Sequence, residues 1–179
     1  MKIKNVLAGS VSLAALFLAG CSSQSYNITQ YRLPHLSQSV DAVCPASQRS
    51  IVVGEAASKM GIQIQQDETR WHTAKQHRWS TPLSNQLQRS IQRLMLNDDC
   101  TGLLTVTIED FYGSYNSHAV IAGHWQYEME NSANTVSGAF TEKVPLKADG
   151  YAALVNALDE AWLHSMDTIS LSVNSMSGD

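Results

Sequence analysis

Leu104-Thr105-Val106-Thr107-Ile108-Glu109 alternates apolar and polar side chains. After Gly113-Ser114-Tyr115-Asn116 the alternation resumes, with Ala119, Ile121, Gly123, Trp125 and Tyr127 set against His118, Val120, Ala122, His124 and Gln126. A period of two over such lengths predicts strands with one buried face. Gly, Ser and Asn between the runs supply turn chemistry. A second polar turn, Glu130-Asn131-Ser132-Ala133-Asn134, precedes Val136, Gly138 and Phe140, which lead on to Val144 and Pro145. Three consecutive strands with short turns predict an antiparallel meander.

Downstream the period changes. Tyr151, Leu154, Val155, Leu158, Trp162, Met166 and Ile169 form one helical stripe, with Asp149 placed to cap it. The polar tail Ser172–Asp179 is expected to fray. Upstream, Leu83, Leu87, Ile91, Leu94 and Met95 predict a helix of about four turns. Ser80 or Thr81 is its expected cap, and Pro82 suits its first position. Before it, Tyr26–Leu33 reads as a strand stopped by Pro34, and His35–Cys44 as a loop. Arg49–Ala57, with Ile51, Val52 and Val53, reads as a short buried strand, Ile62–Gln65 as a half-exposed strand, and Arg70–Arg78 as an extended pairing segment. The expected fold is α+β: a mostly antiparallel sheet with two helices packed on one face.

The first residues have a different character. Met1-Lys2-Ile3-Lys4 is a basic start, and an apolar run of 13 residues follows, from Val6 to Leu18. Spanning a bilayer needs about 20 residues, so the run reads as a signal peptide and not as an anchor. Leu18-Ala19-Gly20-Cys21 looks like a bacterial lipobox, in which the Cys21 thiol is acylated and the chain is cut just before it. The expected organisation is a cleaved peptide 1–20, a lipidated tether 21–27 and one domain 28–179. Ser22 after the cysteine resembles the pattern of lipoproteins sorted to the outer membrane.

Removing the peptide takes Lys2 and Lys4, so 10 Lys and Arg face 16 Asp and Glu, a balance of about −6. Nucleic-acid binding needs a basic surface and is not expected. Charge-driven docking on anionic lipids is disfavoured too. Cys44 and Cys100 remain, each just before a predicted strand, in an oxidising compartment. If those strands are parallel neighbours the two thiols can meet. The bridge would close a loop of about 57 residues, worth roughly 4 kcal/mol in the chain-entropy model.

Catalytic signatures are missing: there is no nucleophile elbow, no His-Glu-x-x-His and no phosphate loop. The histidine spacings suit no metal, so neither metal nor cofactor is expected, and the chain reads as a non-enzyme. Asp98-Asp99, Glu109-Asp110 and Asp159-Glu160 read as ordinary surface acids. Of the four tryptophans, two or three are expected in the core. The face carrying His118, Val120, Ala122 and His124 is half apolar. If the helices cover only the other side, this face is free to meet another protein or another copy of the chain.

These landmarks resemble, in order, those of the PqiC/YmbA-type family of ABC-type transport auxiliary lipoproteins. The residues that carry the resemblance are the lipobox ending in Cys21 and Tyr26…Tyr31-Arg32-Leu33-Pro34, followed by Trp79-Ser80-Thr81-Pro82-Leu83 with Leu87. Leu104–Phe111, Ala122-Gly123-His124-Trp125 and Asp149-Gly150-Tyr151 complete it. The resemblance implies a non-enzymatic, outer-membrane subunit of an intermembrane lipid-transport system. It also implies a partner, a periplasm-spanning MCE-domain protein whose far end it receives, and a capacity to form rings. Outer-membrane lipids would be met through the acyl anchor. Cys44 and Cys100 are not part of the pattern. The alternatives are an envelope hydrolase or a self-contained lipid carrier.

Overall fold

The computed structural model describes residues 27–38, 41–96, 100–130 and 135–176, leaving aside the side chain of Met176. Along the chain run β1 (Thr29–Tyr31), a 3-10 turn (Pro34–Ser37), β2 (Arg49–Val53), β3 (Gly61–Gln65) and β4 (Trp71–Trp79). Then come α1 (Leu83–Ile91), β5 (Leu103–Ser114), β6 (His118–Glu128), β7 (Thr135–Pro145) and α2 (Tyr151–Met176).

The meander forms as its alternation predicts. β5 pairs antiparallel with β6 (Val106 opposite Trp125), and β6 with β7 (Trp125 opposite Gly138). Gly138 is required there, because a Cβ would lie 2.8 Å from the Trp125 indole. The rest corrects the expected sheet, which is mixed and not mostly antiparallel. β2 and β3 both run parallel to β5, and β1 runs parallel to β4; upstream of the meander only β3 and β4 pair antiparallel. The physical reason is connection length. Short turns enforce antiparallel pairs, whereas the route from β2 to β5 passes through α1 and is long enough for a parallel crossover.

The parallel pairing of β2 with β5 sets their starts side by side, and there Cys44 and Cys100 are joined, with Cα atoms 5.5 Å apart. Among the described residues β2 has no strand on its other edge, and α1 supplies a substitute. The Gln88 side chain accepts from Ile51 N at 3.0 Å and donates to Arg49 O at 2.6 Å, as a neighbouring strand would. Gln86 does the same for the N-terminal segment, accepting from Leu33 N at 2.9 Å.

α1 is shorter than expected. It ends at Ile91 because the carbonyl of Gln92 accepts the amides of Val43 and Cys44. Its N-cap is Pro82, and neither Ser80 nor Thr81 makes a capping bond. The carbonyl of Thr81 is taken by Gln86 Nε2 instead. α2 is longer than expected and runs to Met176, past the start of the predicted frayed tail. Gly150, at φ 95°, turns the chain into it. Both helices share one core with the inner face of the sheet, where Leu87, Ile91, Val106, Ile121, Leu158 and Trp162 are fully buried. Each such side chain contributes roughly 1.5–3 kcal/mol.

Candidate functional site

On β6 the odd residues from Ala119 to Tyr127 turn towards the helices, so His118, Val120, Ala122 and His124 share the opposite face. They are not equally available. His124 is exposed, and His118 and Ala122 are half-buried. Val120 is only 6% exposed although it lies outside the helix-side core, because Tyr112 and Lys143 stand in register on either side of it. The expectation of four accessible side chains is therefore corrected at Val120. His118 Nδ1 lies 2.6 Å from the carbonyl of Asn116, and His124 Nδ1 lies 3.2 Å from Glu109 Oε1.

Glu109 and Asp110 are not at a strand end. They sit inside β5 at a register shift between Ile108 and Asp110. Such a bulge re-aims the side chains beside it. Both carboxylates border an open cleft of about 260 Å³ with Lys59, Gln63, Trp71 and Tyr112. Burial, reinforced by the charge of Glu109, raises the Asp110 carboxyl above its ordinary value. Trp71 meets Tyr112 edge-on at 4.6 Å. The other three tryptophans, Trp79, Trp125 and Trp162, are core residues.

The fold also assembles a group that no sequence spacing signals. His35 Nδ1 bonds to Asp159 Oδ1, the His35 backbone amide reaches Asp159 Oδ2 at 3.2 Å, and His35 Nε2 lies 2.7 Å from Ser90 Oγ. Asp159 was expected on a solvated helix face, yet it is buried, because the 3-10 turn lies across α1 and α2. Carboxylate, imidazole and hydroxyl in this order have the connectivity of a nucleophilic triad. The surroundings argue for a clasp instead. Ser90 is 1% exposed, and its oxygen already accepts from Trp162 Nε1 at 2.8 Å. It lies in the last turn of α1, where helix carbonyls gather; an oxyanion needs amide donors.

Two of the sequence landmarks meet at another joint. Tyr31 Oη lies 3.0 Å from His77 Nδ1, and the His77 ring stacks on Tyr151 at 3.8 Å. Burial first, and Tyr31 second, raise the Tyr151 phenol. Trp79 packs edge-on against Phe111 at 5.9 Å. Tyr31, His77 and Tyr151 tie the edge strand β1 and β4 to the start of α2. Among the described residues no group of three or more His, Cys, Asp or Glu is placed to hold a metal ion. Nor is any helix there long and apolar enough to cross a membrane. Cys21 and Asp98-Asp99 lie outside the described residues.

The comparisons agree with this architecture. A family model described as the ABC-type transport auxiliary lipoprotein component matches residues 96–170, which hold the meander and most of α2. The intermembrane transport lipoprotein PqiC of Escherichia coli (strain K12) is 23% identical over 177 residues, covering 89% of this chain and 94% of the relative. PqiC of Shigella flexneri matches equally. Among solved structures, that of an uncharacterized protein superposes with a TM-score of 0.65 at 19% identity, covering 82% of this chain and 99% of that one. Protein XCC0632 from Xanthomonas campestris does so with 0.58 at 14% identity, covering 85% and 96%. Both show the fold alone. The likeness to PqiC over most of both chains and the matching family model together support a PqiC-type assignment, among the ABC-type transport auxiliary lipoproteins.

Proposed function

We propose that this protein is an outer-membrane lipoprotein of an intermembrane lipid-transport system, anchored through an acylated Cys21 and facing the periplasm. It receives the far end of a periplasm-spanning MCE-domain protein, and it acts as a non-enzymatic docking subunit. The observation that carries the reading is that the likeness to intermembrane transport lipoproteins extends over nearly the whole of both chains. The face of β5, β6 and β7 turned away from the helices suits docking or ring formation, with Ala122 and His124 at its accessible part.

The carrier alternative needs an enclosed apolar chamber. The clefts of about 260–400 Å³ on the described surface are open grooves. The hydrolase alternative has one observation in its favour, the order of Asp159, His35 and Ser90. The burial of Ser90 and its bond from Trp162 weigh against it.

The test is capture of the tagged protein from crosslinked envelopes, with palmitate labelling and density fractionation. The expected result is labelled protein in the outer-membrane fraction, crosslinked to an MCE-domain protein. Labelled protein that captures no such partner would end the docking reading and leave the anchor intact.

A further inference from the structure

Among the described residues the two exposed Trp, Tyr or Phe side chains lie at one end of the sheet. Trp71 is 50% exposed and Tyr115 46%, whereas the other three tryptophans are at most 2% exposed. Trp71 stands opposite Gln65, the last residue of β3, and Gln65 Oε1 lies 3.5 Å from Ser114 Oγ, at the end of β5. Tyr115 follows directly in the β5–β6 turn. Tyr112 links the two, since its ring meets Trp71 and it borders the same cleft as Tyr115. An aromatic row therefore crosses the end where β3 and β5 stop and β4 and β6 start.

The direction of β1 adds a second, independent observation. β1 runs parallel to the last residues of β4, with Thr29 opposite His77, so it starts six residues along β4 from Trp71 and its strand direction leads back towards this end. Cys21 is eight residues before Thr29. That length reaches at most about 28 Å when fully extended. From Thr29 the level of Trp71 is the six residues from His77 back along β4, at most about 20 Å at strand rise and within that reach.

Most charges at this end are paired, and the exposed Glu68 beside Trp71 adds one negative charge. Arg70 is paired with Asp67, and Lys147 with Glu160. Trp and Tyr combine an apolar body with a polar edge, and they settle at the headgroup level of bilayers.

We infer that this end of the sheet is a membrane-contact surface, with the rings of Trp71 and Tyr115 set against the lipid headgroups. The inference rests on the reading of Cys21 as the lipid anchor and adds the orientation of the domain beneath it. A lipid surface is the occupant; contact is driven by ring burial and is insensitive to salt.

Because the other tryptophans are buried, fluorescence reports on Trp71. Full-length acylated protein is reconstituted in vesicles of phosphatidylethanolamine and phosphatidylglycerol, with or without a nitroxide-labelled headgroup. Flotation and acyl labelling score the anchor; quenching scores the contact. Wild type should float and lose its red-shifted emission to the nitroxide, whereas Trp71→Phe should float with its emission unquenched. Floating, labelled protein whose Trp71 is not quenched overturns the inference. So does Trp71 emission that both nitroxide and acrylamide fail to reach, since a protein partner would then cover it. Unlabelled protein that stays in solution overturns the anchor reading, and the orientation with it.

Discussion

Ser90 Oγ lies 2.7 Å from His35 Nε2 and also accepts from Trp162 Nε1, so one hydroxyl on α1 joins the N-terminal segment to α2. Ser90→Ala leaves a fully buried indole N–H without its acceptor. The expected cost is about 1–3 kcal/mol, or a melting temperature lower by about 2–10 °C for a chain of this size. Thermal circular dichroism measures it. The same residue should give no adduct with a fluorophosphonate probe; stoichiometric labelling of Ser90 would restore the hydrolase reading.

The Cys44–Cys100 bridge ties the starts of β2 and β5. Its reduction should destabilise the domain by roughly 4 kcal/mol. A slower band on a non-reducing gel after dithiothreitol, and resistance of both thiols to maleimide beforehand, are the expected signs.

Gln88 stands in for a strand beside β2. Gln88→Leu keeps the volume and removes both bonds, which leaves Ile51 N and Arg49 O unserved. Hydrogen exchange at the amide of Ile51 should accelerate at least tenfold while exchange in the β5–β6 ladder stays slow. Equal acceleration in both would mean that the helix, not its glutamine, protects β2.

Asp110 has a carboxyl raised by burial and by Glu109. Its folded state holds the proton to higher pH than the unfolded state. The contribution of this group to stability therefore falls as pH rises from the unfolded value through the folded one. Asp110→Asn should be slightly more stable than wild type at pH 7, and the difference should close below about pH 4, near the unfolded aspartate value. Denaturant titrations at the two pH values decide it.

The open face of the sheet carries the assembly proposal. Ala122→Glu with His124→Glu places charge on its accessible part without touching the core. Native mass and partner recovery should drop while circular dichroism is unchanged. Val120→Glu is predicted to unfold the domain instead, because Val120 is buried between Tyr112 and Lys143.

Local periodicity was enough to identify the three meander strands, the two helices and the side of β6 that faces the core. Each depends on neighbours a few residues apart, and hydrophobic spacing records such neighbours directly. The two cysteines ahead of β2 and β5 were legible for a similar reason, since thiols in an oxidising compartment need only adjacent strand starts. Tertiary structure alone decided the parallel pairings of β1, β2 and β3, because long connections leave no trace of which edge they reach. It also decided the clasp, in which His35 meets a serine 55 residues away and an aspartate 124 residues away. Asp159 looked like a solvated acid because a helix stripe says which side is apolar, not which polar residue a distant turn will cover. Val120 looked accessible because strand alternation assigns a face, while burial on that face depends on the size of the residues across the ladder.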